Sequence, residues 1–462
     1  MEKLIAGVDS STQSVKIVVR KAITGELVAQ AKAPHPDGTE VDPKEWWSAL
    51  QKVISEVGGL ENIAAISIAG QQHGMVALNS DGEVIRPALL WNDTRSADAA
   101  HELNAEVSNI SEQVGSSLVA AFTASKIRWM AINERDNSKK VAAICLPHDY
   151  LSWKLSGSKD LNDLITDRSD ASGTGYFNSV ENKYVEKIFK LAHLNDHEII
   201  LPKVLGPNES RLKTSNGTLI APGAGDNAAA ALGVGAELGD VVVSLGTSGT
   251  AFSVSKTPTF DPSGEVAGFS DATGNYLPLV CTLNATRIMD SANQILQTNF
   301  EELGELALKA KPGADGLTLL PYFEGERTPN RPDATGVLSG MNLANTNRPN
   351  IARAMIEGML CGMADAIQAL EKNGVAVNRI LLVGGGAKSD AVAKIASQIF
   401  GREVFVPEPG EYVADGAAKQ AAWIATGEFP NWKLGEVKKF NETPTPYVLT
   451  KYRQLRDRTE NW

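Results

Sequence analysis

The sequence lacks any pattern that would hold the chain together covalently or through a metal. Its three cysteines, Cys145, Cys281 and Cys361, lie far apart in apolar segments, and its six histidines show no metal-ligand spacing with them. An odd number of widely separated cysteines predicts buried thiols in a reducing compartment. We therefore expect a cytoplasmic protein without structural zinc.

Basic blocks and long apolar runs are missing as well. Lys and Arg number 44 against 55 Asp and Glu, which gives a formal net charge of -11. Such a balance cannot neutralise a phosphate backbone, so it excludes nucleic acid and an anionic membrane as partners. No run reaches the length of a membrane span, and the start of the chain enters a strand-like segment without a secretion signal.

Two segments of the chain repeat one hairpin plan. Residues 4–8 and 15–19 predict two strands around a small-residue turn, and residues 241–245 and 251–254 predict the same arrangement. In a chain of 462 residues, this repeated hairpin predicts two related domains, residues 1–235 and 236–462. Because strands alternate with helices, the expected fold class is α/β.

Asp226 stands where a glycine turn meets an alanine-rich helix. A carboxylate at that point is placed to accept a proton, and Asn227 beside it could orient a substrate. The alternative is a plain helix N-cap, a position that Asp favours. Helix amides would also lower the pKa of this carboxyl group and make it a poorer base, but orientation matters more than basicity in phosphoryl transfer.

Glycine and hydroxyl turns after predicted strands offer backbone amides to phosphate oxygens. Asp9 ends the first strand and is the candidate ligand for Mg²⁺, directly or through water. A third turn, residues 384–386, lies between a predicted strand and helix, although most such turns bind nothing. Neither a P-loop nor a dinucleotide fingerprint is present. The candidate phosphate contacts are Ser11, Thr12, Gln13, Lys16, Gly246 and Thr247.

Polar side chains follow the buried strand predicted at residues 62–69. Gln72 and His73 stand between two glycines that leave space for a polyol, and Trp91 could add an aromatic face to the same pocket. The alternative for His73 is a satisfied core or turn residue, which is the more common role of an imidazole near a strand end. The segment predicts a sugar site.

Together these segments resemble the FGGY family of carbohydrate kinases over nearly the whole chain. Residues 9–14 and 245–249 are similar to its two phosphate motifs, and residues 384–389 to its adenosine motif. The resemblance implies an actin-like ATPase fold, a duplicated ribonuclease H-like architecture with ATP and sugar meeting in an interdomain cleft. The N-terminal domain would bind the sugar and the C-terminal domain the nucleotide.

The resemblance also implies roles for individual residues. It makes Asp226 the proton acceptor, with Asp9 beside it in the catalytic site. The implied sugar contacts are Gln72, His73, Trp91, Asp226 and Asn227, and the implied nucleotide contacts in the third turn are Gly385, Gly386 and Ser389.

Shorter segments are similar to family members that phosphorylate D-xylulose, namely residues 70–74, 90–95, 147–150, 169–173 and 225–227. They imply transfer from ATP, with Mg²⁺, to give D-xylulose 5-phosphate. Gln72 and Ser11 depart from the pattern, so another ketose, a polyol or gluconate stays an alternative. A second alternative is an actin-like or chaperone-like ATPase module, which would need no polyol pocket. The sequence leaves the oligomeric state open, with a homodimer as a candidate.

Overall fold

The computed structural model describes residues 2–432 and 435–460. The backbone forms two compact units. Unit 1 contains residues 2–235, 256–277 and 410–432, and unit 2 contains residues 236–255, 278–409 and 435–460.

The strands, in chain order, are β1 (Leu4–Ser10), β2 (Ser14–Lys21), β3 (Leu27–Pro34), β4 (Glu40–Val41), β5 (Ile63–Gly70), β6 (Val76–Leu78), β7 (Ala88–Leu89), β8 (Ala143–Cys145), β9 (Ile165–Asp167), β10 (Phe177–Asn178), β11 (Lys183–Tyr184), β12 (Lys203–Leu205), β13 (Leu212–Lys213), β14 (Leu219–Ile220), β15 (Ala224–Gly225), β16 (Asp240–Leu245), β17 (Gly249–Ser253), β18 (Ala267–Ser270), β19 (Tyr276–Thr282), β20 (Thr318–Leu320), β21 (Val337–Ser339), β22 (Arg379–Val383), β23 (Val404–Pro407) and β24 (Val437–Phe440).

The α-helices, in chain order, are α1 (Pro43–Glu56), α2 (Ala97–Glu106), α3 (Ile110–Val114), α4 (Thr123–Asn133), α5 (Arg135–Ser138), α6 (Pro147–Ser156), α7 (Arg168–Ala171), α8 (Glu186–His193), α9 (Asp226–Val234), α10 (Thr286–Leu296), α11 (Phe300–Lys309), α12 (Arg348–Lys372), α13 (Asp390–Phe400), α14 (Tyr412–Thr426) and α15 (Pro446–Arg458). Short 3-10 helices cover Leu161–Asp163, Ala314–Gly316 and Gly386–Lys388.

The two units repeat one sheet topology. In unit 1 the strand order is β13-β14-β5-β1-β2-β3, and in unit 2 it is β24-β23-β22-β16-β17-β19. In both, an antiparallel meander of three strands is continued by two strands parallel to its first strand and then by one antiparallel strand. The predicted duplicated ribonuclease H-like architecture is confirmed.

Sequence patterns explain the elements around the predicted hairpins. The first hairpin, β1 and β2, and the second, β16 and β17, both form as predicted. Both faces of β1 are buried, in keeping with its nearly continuous apolar run. Helix α1 begins with Pro43, and the Asp42 side chain accepts a hydrogen bond from the Lys44 amide at 3.0 Å, which satisfies a free donor of the first turn.

Helix α14 explains why a late segment of the chain belongs to unit 1. Its alanine face packs on the sheet beside Ile5 and Val18, on the side opposite α1, which packs against Ile17 and Val19. Small residues allow backbones to touch, since a Cβ on Gly7 would lie 2.1 Å from the Ala414 carbonyl oxygen. The predicted boundary between residues 235 and 236 is one of the points where the chain passes from unit 1 to unit 2. Residues 256–277 and 410–432 belong to unit 1 again.

The same helix packs tightly against α9. A Cβ on Gly416 would lie 1.9 Å from the Ala229 carbonyl oxygen, and a Cβ on Gly233 would lie 1.8 Å from that of Tyr412. Only glycine allows backbone atoms to approach so closely. The position of α9 is therefore set by its crossing with α14.

The three cysteines are not joined by disulfide bonds. Cys145 and Cys361 are buried, as predicted, whereas Cys281 is partly exposed because it lies next to the end of β19. Along residues 2–432 and 435–460, no helix has both the length and the apolar character needed to cross a membrane.

We expect Gly416→Ala to destabilise unit 1. Alanine favours a helix by about 1 kcal/mol, but the added methyl group meets backbone that cannot move aside, and overpacking costs about 1–3 kcal/mol or more. Calorimetry should show that the unfolding temperature of this unit is lower by about 5 °C or more. Gly206→Ala is the matched control, because its Cβ meets nothing closer than 3.9 Å. Equal melting temperatures for the two variants would contradict the proposed packing.

Candidate active site

Three parallel strand ends meet at one edge of the unit 1 sheet. Strand β5 lies between β1 and β15, and its Ala69 is paired with Asp9 on one side and with Ala224 on the other. Asp226 follows β15 directly, as the first residue of α9. Because parallel strands end at the same edge, Asp9 and Asp226 flank the end of β5.

Asp226 is partly exposed, and its carboxylate is held by the next residue. Its Oδ1 accepts hydrogen bonds from the backbone amide of Asn227 at 2.7 Å and from the side-chain amide of Asn227 at 2.8 Å. The N-cap residue is Gly225, so the alternative of Asp226 as the N-cap is wrong. The glycine turn ends one residue earlier than that alternative required.

The pKa of Asp226 also differs from the prediction. Desolvation, followed by the nearby charge of Asp9, raises it to about 7, and the Asn227 hydrogen bonds lower it less than these raise it. The helix amides considered at the sequence level are thus outweighed. A carboxyl group with a pKa near neutrality is well matched to proton transfer.

Asp9 is buried, with 3% of its surface exposed. Its Oδ1 accepts a hydrogen bond from the Ser11 hydroxyl, and its Oδ2 lies 3.7 Å from Lys16 Nζ. Desolvation raises the pKa of Asp9, although Ser11 and Lys16 oppose that rise. Lys16 Nζ is in turn 2.6 Å from Glu411 Oε2, an ion pair that the sequence analysis missed because the two residues are far apart in the chain.

The carboxylates fit a magnesium ion that is held mainly by water and phosphate. Among the described residues, no three His, Cys, Asp or Glu side chains come together as a metal-binding group. Magnesium commonly takes one or two carboxylates and completes its shell with water and substrate phosphates. Asp9 is a buried carboxylate close to a second one, and a cation there would offset their mutual repulsion.

Gln72 and His73 lie together after β5. A Cβ on Gly225, next to Asp226, would lie 2.7 Å from Gln72 Nε2, so the amide of Gln72 lies against the turn that carries Asp226. His73 has a φ of 68°, a left-handed conformation that is uncommon for residues other than glycine. Its Nδ1 lies 2.6 Å from the Gly173 carbonyl oxygen.

Hydrogen bonds connect the segments that follow β5 and β7 with the turn between β1 and β2. The Trp91 indole donates to Thr12 Oγ1 at 2.9 Å, and that hydroxyl donates to Gln71 Oε1 at 3.3 Å. Trp91 is 40% exposed and Gln71 is buried. Gln71 Nε2 finds no hydrogen-bond partner among the described residues. This buried donor belongs to the polar segment between Gly70 and Gly74 that was predicted to bond a sugar, although Gln71 was given no role of its own.

A charged cluster lies buried beneath Asp226. His148 Nδ1 is 2.6 Å from Asp170 Oδ2, and His148 Nε2 is 3.2 Å from Asp149 Oδ1. Burial alone would lower the pKa of His148, but the charges of Asp149 and Asp170 raise it to about 10. The two carboxylates therefore favour the protonated form of His148. Both segments are part of the family resemblance, which implied no role for their residues.

The remaining predicted contacts lie in unit 2. Ser244 of β16 pairs with Val383 of the parallel strand β22, so the turns after these strands are neighbours. A Cβ on Gly386 would lie 2.9 Å from Leu245 Cβ, whereas one on Gly385 would meet nothing within 4 Å. Gly246 and Thr247 follow β16 directly, and Ser389 is the N-cap of α13, accepting from the Val392 amide at 3.4 Å.

Comparisons with known proteins agree with this geometry. The N-terminal domain model of the FGGY family of carbohydrate kinases matches residues 4–233, and the C-terminal domain model matches residues 241–425. The chain belongs to the FGGY family of carbohydrate kinases. The fold and enzyme class implied by the resemblance are confirmed, and membership makes ATP the phosphoryl donor.

Individual relatives in the FGGY family cover most of the chain. A xylulose kinase of Streptomyces rubiginosus is 42% identical over 92% of this chain and 89% of its own length. The crystal structure of a xylulose kinase from Bifidobacterium adolescentis superposes with a TM-score of 0.92 at 46% identity, covering 98% of this chain and 99% of the other. A gluconate kinase structure from Lactobacillus acidophilus gives a TM-score of 0.86 at 25% identity, with coverages of 98% and 96%.

We expect Asp226→Asn to stabilise the protein, and to do so more at pH 8 than at pH 5. In the wild type the carboxyl group keeps its proton up to about pH 7, whereas in the unfolded chain it is ionised above about pH 4. The unfolded state therefore binds fewer protons in this window, and stability falls as the pH rises.

The asparagine variant has no carboxyl group to ionise, so its stability does not fall with rising pH in this way. Its Oδ1 can still accept a hydrogen bond from Asn227. Differential scanning calorimetry at pH 8 should show a gain of about 2–4 °C, the shift that about 1 kcal/mol produces in a unit of this size. A gain that is equal at pH 5 and pH 8 would contradict the raised pKa of Asp226.

Proposed function

We propose that the protein transfers the terminal phosphoryl group of ATP to D-xylulose and forms D-xylulose 5-phosphate, in the cytoplasm. The observation that carries the proposal is the Asp226 carboxylate, whose pKa of about 7 lies near neutrality and which lies beside Gln72 and close to the charge of Asp9. The xylulose kinases similar to this chain along nearly its full length support the choice of acceptor.

In the proposed mechanism, Asp226 accepts the proton of the attacking sugar hydroxyl. The two hydrogen bonds from Asn227 converge on Oδ1, so they fix the plane of the carboxylate and leave Oδ2 as the acceptor we propose. Phosphoryl transfer depends mainly on alignment and on electrostatic stabilisation. A base held in one orientation by its neighbour meets the first of these demands.

Asp9 is proposed to hold Mg²⁺ with water and phosphate oxygens as the other ligands. The metal would offset negative charge on the phosphoryl group as it is transferred. Asp9 and Asp226 raise each other's cost of ionisation, so positive charge near Asp9 favours the ionised form of Asp226 as well. Lys16, paired with Asp9 and Glu411, adds a fixed cation next to the first phosphate turn.

The sugar contacts are proposed to be Gln72, His73, Trp91 and Asn227, together with Asp226. Gln71 is added to this set, because its buried Nε2 has no partner among the described residues and a sugar hydroxyl would satisfy it. His73 has a hydrogen bond to the Gly173 carbonyl and packs edge-on against Phe122 at 5.0 Å. Its ring orientation is therefore fixed before a sugar binds.

Nucleotide binding is proposed for the turns of both units. In unit 1 the contacts would be Ser11, Thr12, Gln13 and Lys16, and in unit 2 Gly246, Thr247, Gly385, Gly386 and Ser389. The open space at Gly385 supports this assignment, because a ligand can approach the backbone there. Residues 1–235 would bind mainly the sugar and residues 236–462 mainly the nucleotide.

A second acceptor class has specific support. The similar gluconate kinase structure comes from the same family fold, so the fold alone does not fix the acceptor. Gln72, which stands where many relatives that phosphorylate D-xylulose have Met, lies directly against the turn of the base. Gluconate, another ketose or a polyol is therefore the alternative that an acceptor screen must separate from D-xylulose.

We expect D-xylulose to give the highest kcat/KM among possible acceptors. A coupled assay of ADP release with ATP and Mg²⁺ should compare D-xylulose, D-ribulose, L-ribulose, D-fructose, glycerol and gluconate, with ATP alone as the control. Loss of one well-placed hydroxyl contact costs about 1–3 kcal/mol, so related acceptors should be about 5–150-fold poorer. Strong stimulation by gluconate or glycerol without stimulation by D-xylulose would move the assignment to that acceptor.

We expect Asp226→Asn to lower kcat for D-xylulose by about 10²–10⁴-fold, the range of general base catalysis. Binding of ATP, measured by isothermal titration, should change little because the proposed nucleotide contacts are elsewhere. Asp81→Asn, in an exposed turn of the same unit, is the control and should keep the wild-type kcat. A fully active Asp226→Asn variant would remove the proposed base.

A further inference from the structure

The turn that precedes Asp226 is held by a side chain from the far end of the chain. Gln420, on α14, is buried with 1% of its surface exposed. Its Oε1 accepts from the Gly223 amide at 3.0 Å, and its Nε2 donates to the Gly223 carbonyl oxygen at 2.9 Å. One side-chain amide thus satisfies both backbone polar groups of Gly223.

Gln420 is itself held in this orientation. The Ser67 hydroxyl on β5 donates to Gln420 Oε1 at 2.6 Å. Because Oε1 accepts from the Gly223 amide and Nε2 donates to the Gly223 carbonyl oxygen, a flipped amide would lose both bonds to Gly223. Within α14, only a residue that carries both a donor and an acceptor at this distance can make them.

The backbone of Gly223 has a conformation that requires glycine. Its φ is +86°, and a Cβ there would lie 2.3 Å from His148 Cδ2 and 2.6 Å from the Ile68 carbonyl oxygen. The residue must therefore be glycine, which has no side chain to pack. The preceding carbonyl, that of Pro222, receives a further bond from His148 Nε2 at 3.2 Å.

Only the two residues of β15 separate this turn from Asp226. They pair with Ala69 and Gly70 at the end of β5. A shift of the Gly223 peptide would pass through this short strand to the first residue of α9, because nothing flexible lies between them. A misplacement of about 1 Å of a reacting group can cost about 10²-fold in rate.

We propose that Gln420 is a positioning residue, which fixes the Gly223 peptide and through it the Asp226 carboxylate. The inference rests on the proposed role of Asp226 as the base. Gln420 itself does not touch the carboxylate in the contacts described, so its effect on turnover must pass through Asp226.

The test uses Gln420→Met, which keeps the length of the side chain and removes all three hydrogen bonds. We expect kcat to fall by about 10–100-fold, with the KM values for D-xylulose and ATP changed by less than about threefold. In the Asp226→Asn background, single-turnover measurements should show less than about a twofold further loss, because a residue that acts through the base has no effect once the base is gone.

Two controls separate positioning from stability. Val18→Ala removes buried packing against the same helix and leaves Gly223 untouched, so it should lower the melting temperature and keep kcat within about twofold. Ser67→Ala leaves both bonds to Gly223 in place and should also stay within about twofold. If Gln420→Met does not fold, Gln420→Glu replaces it, since it keeps an acceptor and loses the donor to the Gly223 carbonyl.

The outcomes distinguish this inference from the proposed function. If Asp226→Asn retains wild-type kcat, the proposed function fails. If Asp226→Asn is inactive and Gln420→Met or Gln420→Glu keeps kcat within about twofold, only the inference fails. Equal losses of kcat in Val18→Ala and Gln420→Met, or an additive loss in the double variant, would also overturn it.

Discussion

The structure of the site depends on one constraint, the parallel pairing of β1, β5 and β15. That pairing brings Asp9 and Asp226 to the same sheet edge, where burial and each other's charge oppose their ionisation. The pKa of Asp226 is raised to about 7 as a result. A carboxyl group that binds its proton more tightly in the folded than in the unfolded state lowers the free energy of unfolding once the unfolded chain has lost that proton. The position proposed for the base therefore reduces the stability of the fold.

In the described part of the chain, basic side chains lie beside the other carboxylates of the site, but not beside Asp226. Lys16 lies 3.7 Å from Asp9, and His148, whose protonated form is favoured by the neighbouring carboxylates, lies 2.6 Å from Asp170. Among the described residues, Asp226 is paired with no cation and accepts hydrogen bonds from the amides of Asn227. The cations therefore stabilise the surroundings of the base, and its own pKa stays close to neutrality.

Much of the site could be predicted from the sequence because its residues follow buried strands. Asp9 and Gln72 each stand within a few residues of an apolar run, which fixes the sheet edge they share in unit 1, and Gly246 directly follows such a run in unit 2. The pKa of Asp226 could not be predicted, since the desolvation that mainly raises it, and the charge of Asp9 that adds to the rise, both depend on the folded structure. Likewise, Gln420 contacts a residue 197 positions away, inside an alanine-rich helix that reads as ordinary core. Sequence motifs indicate the candidate ligand contacts. Residues such as Gln420, which support those contacts, are determined by packing between distant parts of the chain and have no local motif.

Helix α14 shows why the residue behind the base should be a neutral amide. Its Lys419 donates to the Leu232 and Gly233 carbonyl oxygens at 2.9 and 3.1 Å, at the C-terminal end of α9, where the helix dipole favours a cation. The next residue, Gln420, holds the turn at the other end of α9. A cation there would lower the pKa of Asp226 and an anion would raise it further. A glutamine gives both hydrogen bonds without charge, so α14 can fix the position of α9 at both ends and leave the acidity of the base to Asp9 and to burial.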